Sequence, residues 1–502
     1  MKRKTFIAAI TISIISAITM TACLGLNNSR DVSNVRALKR ITERNPIMTH
    51  TFSADPSVLV FNDRVYIYMT ADTLEYDSKG EVKSNSYSTI NTLRVASSAD
   101  LVNWVYHEPI KAAGYDGIAK WAGRSWAPAI THKKVNDSDK FFLYFSNNAN
   151  GVGVLTADSP LGPWKDPLGR ALITKQTPNC SDIPWLFDPA VFIDDNGRAY
   201  LYFGGGVPEG RASDPGSARV VELGSDMISL VGDPARINIP YFFEAVLMNK
   251  FEGRYLLSYC TNWSVTQEDR TRLGIENAVI AVMSSNSPTG PFTLEKTILR
   301  NPGVFFGVWG NNHHDIFKFK DQWYLAYHSQ ILEEEMDIER KGYRCVHIDS
   351  IKLNGRMFDS VTGTKRGVAQ VGKLDPYLWH QGATSAVCAE MSFGSHLFPD
   401  SALPVEYAVA QANGSWLCVM GADFTETGAA SVNIFAFSKS KRSGTVEIRL
   451  GSPDGETIGV CRVRPAVYED YTVTLSKTVH GVQDIFFVFD NEFLLGGWQF
   501  NK

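Results

Sequence analysis

Apolar and polar positions along this chain form a phrase that returns five times: an acidic or aromatic residue, a short apolar run, a turn, and an aromatic-rich run. It reads Ala54-Asp55-Pro56-Ser57-Val58 before Val65-Tyr66-Ile67-Tyr68, then Trp126-Ala127-Pro128-Ala129-Ile130 before Phe142-Leu143-Tyr144-Phe145. The third copy is Phe187-Asp188-Pro189-Ala190-Val191 before Ala199-Tyr200-Leu201-Tyr202-Phe203, and the fourth is Phe243-Glu244-Ala245-Val246-Leu247 before Tyr255-Leu256-Leu257-Ser258-Tyr259. His313-His314-Asp315-Ile316-Phe317 before Trp323-Tyr324-Leu325-Ala326-Tyr327 completes the series. Short β-branched and aromatic runs bounded by turns predict strands. Their recurrence at unequal spacing predicts stacked four-stranded units in a five-bladed β-propeller rather than a solenoid.

In a propeller the first strand of every blade lines the central channel, so equivalent positions converge on one cavity. Three copies carry a carboxylate at what reads as the same place: Asp55, Asp188 and Glu244. Carboxylates gathered in a partly apolar cavity repel and are desolvated, which drives their pKa values apart and suits them to acid–base chemistry. The segments Ser97–Trp104, Ser159–Trp164 and Ser287–Phe292 lie between the phrases, and each closes on an aromatic, as expected of outer blade hairpins.

The phrase stops near Gly372. Beyond it, short alternating runs such as Ser431–Phe437, Thr445–Leu450 and Asp484–Phe489, with a Gly451–Gly455 turn, predict a second all-β unit, a β-sandwich of jelly-roll type. The expected organisation is thus propeller over 45–372 and sandwich over 373–502.

A chain of 502 residues, 44% hydrophobic and 12% aromatic, has enough apolar material for two cores. A net charge of −4 with both signs mixed offers no basic field, which excludes nucleic acid as a partner. Lys2-Arg3-Lys4 and an apolar stretch from Phe6 to Ile18 predict an export signal over 1–22, and the ending Met20-Thr21-Ala22-Cys23 resembles a bacterial lipobox, which implies a lipidated Cys23 followed by a polar tether over 23–44. The expected location is therefore outside the cytoplasm, held to a membrane only through that lipid. The other six cysteines have no metal-ligand spacing and are expected as buried free thiols, although export permits disulfides.

The set Ala-Asp-Pro-Ser-Val at Asp55, Trp-Ala-Pro-Ala at Trp126, Phe-Asp-Pro-Ala-Val-Phe-Ile-Asp-Asp-Asn-Gly at Asp188 and Phe-Glu-Ala at Glu244 resembles glycoside hydrolase family 43 over Asn45 to Gln370. Val308-Trp309-Gly310-Asn311-Asn312-His313-His314-Asp315, with Tyr343–Asp349 downstream, is most similar to the branch containing arabinoxylan arabinofuranohydrolases. The resemblance implies a five-bladed propeller that hydrolyses arabinosides or xylosides with inversion. It implies Asp55 as general base, Glu244 as general acid, and Asp188 as the ionised carboxylate that raises the acid's pKa. An inverting pair must leave room for water between the carboxyls, and separate blades supply that gap. The resemblance also implies a structural calcium touched by His313, for which water mediation is the chemically safer picture because calcium prefers oxygen. None is required for the chemistry.

Arg344 is expected to hold a substrate hydroxyl or Asp188. Trp126, Phe243 and Trp309 are expected to stack on sugar. The tail resembles a family 6 carbohydrate-binding module at Leu374–Tyr377, Glu447–Leu450 and His480–Phe489. It departs from that module at Gln381-Gly382-Ala383-Thr384 and Leu495-Gly496-Gly497-Trp498, which leaves sugar binding and purely structural packing both open. The expected substrate is arabinoxylan or xylan, with α-L-arabinofuranosidase activity first and β-xylosidase activity as alternative. A non-catalytic glycan-binding lipoprotein is the alternative of another class.

Overall fold

The computed structural model describes residues 31–397, 404–438, 443–465, 468–490 and 493–502. The export signal and Cys23 lie outside the described residues. Each phrase folds as read, its apolar run and aromatic run pairing as an antiparallel hairpin. Ala54–Phe61 pairs Arg64–Thr70, and Leu93–Ser98 and Trp104–Tyr106 extend that sheet outward. Trp126–Val135 opens a second sheet with Ser138–Ser146, Gly151–Ala157 and Ile173–Thr174, and Ala190–Ile193 opens a third with Ala199–Phe203, Ala218–Leu223 and Leu230–Ile237. Phe242–Phe251 is followed by Arg254–Thr261, Ile280–Ser285 and Thr293–Leu299, while Gln322–Ser329 lies between His314–Phe319 and Cys345–Ile351 in a three-stranded sheet.

Hydrogen bonds between inner strands tie neighbouring sheets into a β-propeller. Ile130 N donates to Ser57 Oγ (3.1 Å), Ala245 N to Asp188 Oδ2 (3.1 Å), and Asn249 Nδ2 to the Ile316 carbonyl (3.0 Å). The last sheet meets the first where Val58 N donates to Asp315 Oδ2 (2.6 Å). Asn45 completes that closure, its amide side chain exchanging bonds with both the N–H and the carbonyl of Ile348 (2.8 and 3.0 Å). The sheets pack face to face through aromatic and β-branched residues such as Tyr68, Leu143, Tyr202, Leu257 and Leu325, all fully buried.

The C-terminal region is a β-sandwich. One sheet runs Met391–His396, Val405–Ala410, Phe493–Asn501, Ala429–Ser438, Tyr468–Val479. The facing sheet runs Val387–Ala389, Trp416–Asp423, Val482–Phe489, Gly444–Leu450, Thr457–Val463. Alternation puts Leu417, Val419, Ile434, Ile448, Phe487, Trp498 and Phe500 between them. Gly497 is required by a close approach, because a Cβ there would lie 2.1 Å from the Trp379 ring, while His380 stacks on Trp498 at 4.4 Å. The Gly-Gly-Trp stretch is therefore covered by its own chain.

Two features depart from the expected organisation. The polar stretch read as a tether is packed from Asp31 onward: Val32, Val35, Ala37 and Ile41 lie against Trp416, Phe486 and Val102, Leu38 packs on Phe52 and Leu332, and Arg36 pairs with Asp337. Sparse apolar residues at irregular spacing hid this, because an irregular strap needs no period. Likewise the expected boundary at 372 is crossed by a strand, since Thr384 and Ser385 pair with Val105 and Trp104 at the outer edge of the first propeller sheet. All six described cysteines are buried free thiols, as expected.

Because Ala386, Val387 and Ala389 share a buried cluster with Val102 of the propeller, a chain ended after Gly372 leaves an unpaired strand edge and bare apolar surface. The thermal midpoint of that truncated chain, followed by circular dichroism, is expected several degrees below that of the full chain. Equal midpoints would show that the propeller does not lean on the sandwich.

Candidate active site

Inner strands start with a fault in their pairing. Register slips between Ala54 and Ser57, between Trp126 and Ala129, and between Glu244 and Leu247. Asp55, Ala127 and Ala245 stand within these slips, and Asp188 just ahead of the unbroken strand Ala190–Ile193, with φ of 48°, 39°, 57° and 49°. A bulge re-aims the side chain beside it, and each left-handed non-glycine residue costs about 1–3 kcal/mol, so the surroundings must hold it. They do so through the backbone amide. Asp55 N donates to His328 Nδ1 (3.2 Å), Ala127 N to Thr70 Oγ1 (2.8 Å) and Asp188 N to Ser146 Oγ (2.9 Å), the acceptor in each case lying at the end of the preceding sheet's second strand.

This alignment corrects one expectation. Asp55 and Asp188 are equivalent, but Glu244 precedes the strained residue of its copy and stands where the others have Ala54, Trp126 and Phe187. The three carboxylates still meet at the channel, each about 5% exposed. His313 Nδ1 lies 3.6 Å from Asp55 Oδ1 and 3.5 Å from Asp188 Oδ2, and Asp188 Oδ2 accepts from the amide next to Glu244.

The three are not alike electrostatically. Burial alone would raise Asp55, but Arg344 outweighs it, with help from His328 and His313, and holds that carboxyl well below the usual range. Arg344 Nη1 donates to Asp55 Oδ1 (2.8 Å), while its Nε and Nη2 grip the fully buried Asp72 at 2.9 and 2.8 Å. Glu244 is pushed up to about 8, first by burial and then by the charge of Asp55, and its Oε1 has no hydrogen-bond partner among the described residues. Asp188 is also raised, by burial and then by Glu244 and Asp55. Asp188 and Glu244 therefore share a proton at neutral pH. Asp188 receives the Ala245 N–H and Glu244 a bond from the Asn311 side chain, so each carboxyl is held by one donor.

Burial lowers His313 to about 4, against the pull of Asp55, so it is neutral. Among the described residues no three His, Cys, Asp or Glu side chains are grouped to hold a metal. With its Nδ1 turned to two carboxylates, His313 does not fit direct ligation of calcium. His314 turns away to Ser258 Oγ (2.6 Å).

The antiparallel meander puts every connection that enters an inner strand, or leaves a second strand, at the carboxylate end of the channel. Trp126, Phe243 and Trp309 all stand at that mouth. Trp126 is half-buried and donates Nε1–H to the Tyr87 carbonyl (3.1 Å), Phe243 meets the edge of Trp185 at 5.2 Å, and Trp309 is 55% exposed. Arg344 bonds Asp55 and Asp72, not Asp188 as expected, and its guanidinium lies 5.1 Å from the Tyr87 ring. Sequence reading missed Thr70, Asp72, Tyr87 and His328. Thr70 and His328 follow the aromatic runs at strand ends, and that position was the available signal. A cavity of about 360 Å³ lined by Asp194, Arg198, Tyr200, Glu222 and Tyr255 lies away from the carboxylates. Arg198 is paired there with Glu222, and Asp194 with Lys250.

The model of the glycosyl hydrolases family 43 matches residues 43–354, and that of carbohydrate binding module family 6 matches 406–502. The chain belongs to glycosyl hydrolase family 43. The hydrolase is 40% identical to the arabinoxylan arabinofuranohydrolase of Bacillus subtilis (strain 168), over 97% of this chain and 98% of that one. It is 40% identical to the arabinoxylan arabinofuranohydrolase of Paenibacillus polymyxa, over 94% of this chain and 76% of the other. The crystal structure of the Bacillus subtilis family 43 arabinoxylan arabinofuranohydrolase in complex with cellotetraose superposes with a TM-score of 0.89 at 41% identity, covering 93% of this chain and 99% of that one.

The raised carboxyl of Glu244 has a testable signature. A group with a raised folded pKa favours folding fully below its unfolded value and loses that contribution as pH climbs toward the folded one. Glu244→Gln cannot ionise, so its gain in thermal midpoint over the native hydrolase is expected to grow from pH 5 to pH 8 in differential scanning fluorimetry. A constant difference would mean that Glu244 ionises normally.

Proposed function

We propose that the hydrolase removes α-L-arabinofuranosyl side chains from arabinoxylan with inversion. Three buried carboxylates held in different protonation states, in a chain 40% identical end to end to an arabinoxylan arabinofuranohydrolase, carry this reading. Asp55, kept ionised by Arg344, takes a proton from water on one face of the sugar. Protonated Glu244 donates to the departing glycosidic oxygen. Asp188, beside Glu244, keeps that proton on the acid until it is needed and orients the sugar ring. General acid–base steps of this kind contribute roughly 10²–10⁴-fold each. The sheets described above are read as the blades of one five-bladed propeller over about 45–372, followed by the sandwich over 373–502. Trp126, Phe243 and Trp309 form apolar walls for sugar C–H faces.

No cofactor enters the chemistry, and a structural calcium in the channel would meet His313 through water. A β-xylosidase is disfavoured, because the relative named xylosidase/arabinosidase from Bacteroides ovatus is 27% identical over 58% of this chain. A non-catalytic glycan receptor is disfavoured by the burial of three like charges, which burdens the fold without aiding sugar capture.

Glu244→Gln is expected to lower arabinose release from wheat arabinoxylan at least about 10²-fold, with KM nearly unchanged. Chromatography of the products checks it, and xylose as sole product of the native chain would replace the arabinofuranosidase reading. At the N-terminus, Cys23 is proposed as the lipid-bearing residue of an exported, membrane-anchored protein. Cys23→Ala should move the protein from the membrane to the soluble fraction and abolish labelling by radioactive palmitate.

A further inference from the structure

The three residues that cap strained amides are not equivalent in what else they do. Ser146 accepts from Asp188 N, and His328 accepts from Asp55 N while its Nε2 contacts the Asn311 carbonyl (3.1 Å). His328 Nδ1 also lies 3.2 Å from Asp55 Oδ1, but of the three only Thr70 reaches Asp55 Oδ2. Its Oγ1 accepts from Ala127 N (2.8 Å) and donates to Asp55 Oδ2 (2.7 Å). Thr70 is fully buried, so no bulk water competes for either bond.

A threonine hydroxyl has one proton and two lone pairs. Because the Ala127 N–H can only donate, it takes a lone pair of Thr70. Ionised Asp55 can only accept, so the hydroxyl proton has one destination, Oδ2. The other oxygen, Oδ1, is taken by Arg344 Nη1, which is locked in turn by its two-point grip on Asp72. Rotation of the carboxylate about its terminal torsion, which is otherwise broad and roughly two-fold, would break a charge-assisted bond at one oxygen or the other. The orientation of the carboxylate plane is thus fixed from both ends, and with it the lone pair left to face the channel.

We propose that Thr70 is a positioning residue for the hydrolytic water: it fixes the plane of the Asp55 carboxylate and couples that plane to the Trp126-Ala127-Pro128 wall of the next sheet. This rests on Asp55 being the base, as proposed above. The groups that face Asp55 from the surrounding elements are Arg344, His313, His328, Asp188 and Glu244, and none of them donates to Oδ2. Loss of the Thr70 hydroxyl therefore leaves that oxygen uncompensated.

The test compares Thr70→Val, which keeps the shape and removes the hydroxyl, with Thr70→Ser, which keeps the hydroxyl. The substrate is 4-nitrophenyl α-L-arabinofuranoside, assayed across pH with melting curves recorded in parallel. In the valine variant kcat is expected to fall about 10–100-fold with KM within about threefold. The acid limb of its kcat/KM profile should move to higher pH, because a carboxylate that loses a donor protonates more easily. The serine variant should return kcat to within a few-fold of native and restore the acid limb.

A valine variant whose kcat stays within twofold of native, or whose acid limb does not move, would overturn the proposal. So would a serine variant as impaired as the valine one. Should the valine variant fail to fold, Thr70→Ala admits a water to the Ala127 amide and is held to the same two criteria. Failure of the native protein to act on this substrate would count against the proposed function, whereas an active native protein with an indifferent Thr70→Val counts against this inference alone.

Discussion

A buried guanidinium shared between two buried carboxylates governs the channel. Removing an ion pair from water costs several kcal/mol per ion, and the cost is met only when geometry is good and remaining donors are satisfied. Arg344 meets that condition with two bonds to Asp72, one to Asp55 and an aromatic face at Tyr87. With Asp55 committed to its negative charge, Asp188 and Glu244 cannot both ionise at ordinary pH, and the proposed division between base and acid rests on that. Strain is part of the same arrangement. Left-handed Asp55 and Asp188 are kept in that conformation by hydrogen bonds from adjacent sheets to their backbone amides.

Most of the fold was legible because strand alternation and repeated turns are local signals. The five phrases each became a hairpin, and the alternating tail became a sandwich. Asp55, Asp188 and Glu244 were legible through their place in the repeat, although the equivalence assigned to Glu244 was one residue out. A slip of that size cannot be seen in the sequence, because the bulge that distinguishes Glu244 from Asp188 depends on which backbone amide finds a partner across the blade boundary.

Less legible were residues whose meaning is relational. Asp72 and Arg344 are separated by 272 positions, and nothing in either neighbourhood announces the pair. Thr70 and Ser146 read as strand-terminal hydroxyls, a common and bland position. The strap at 31–44 looked like a tether because a few apolar side chains at irregular spacing leave no period. The small residues of Leu495–Trp498 read as a loss of sugar contacts, and the fold supplies the reason for them in Trp379, whose ring occupies the space that a Cβ at Gly497 would need.

A strand lent by the sandwich to the first propeller sheet removes the freedom usually granted to an appended module. Modules on flexible linkers raise the local concentration of substrate over a volume swept by the linker, and they tolerate many geometries. Here Thr384 and Ser385 are stitched to Val105 and Trp104, so the two bodies share one backbone ladder and their separation is set by covalent and hydrogen-bond lengths. Any polymer that touched both would be met at a single distance and a single angle. The pair would then select chains by stiffness and by the interval between branches, much as a gauge selects a part.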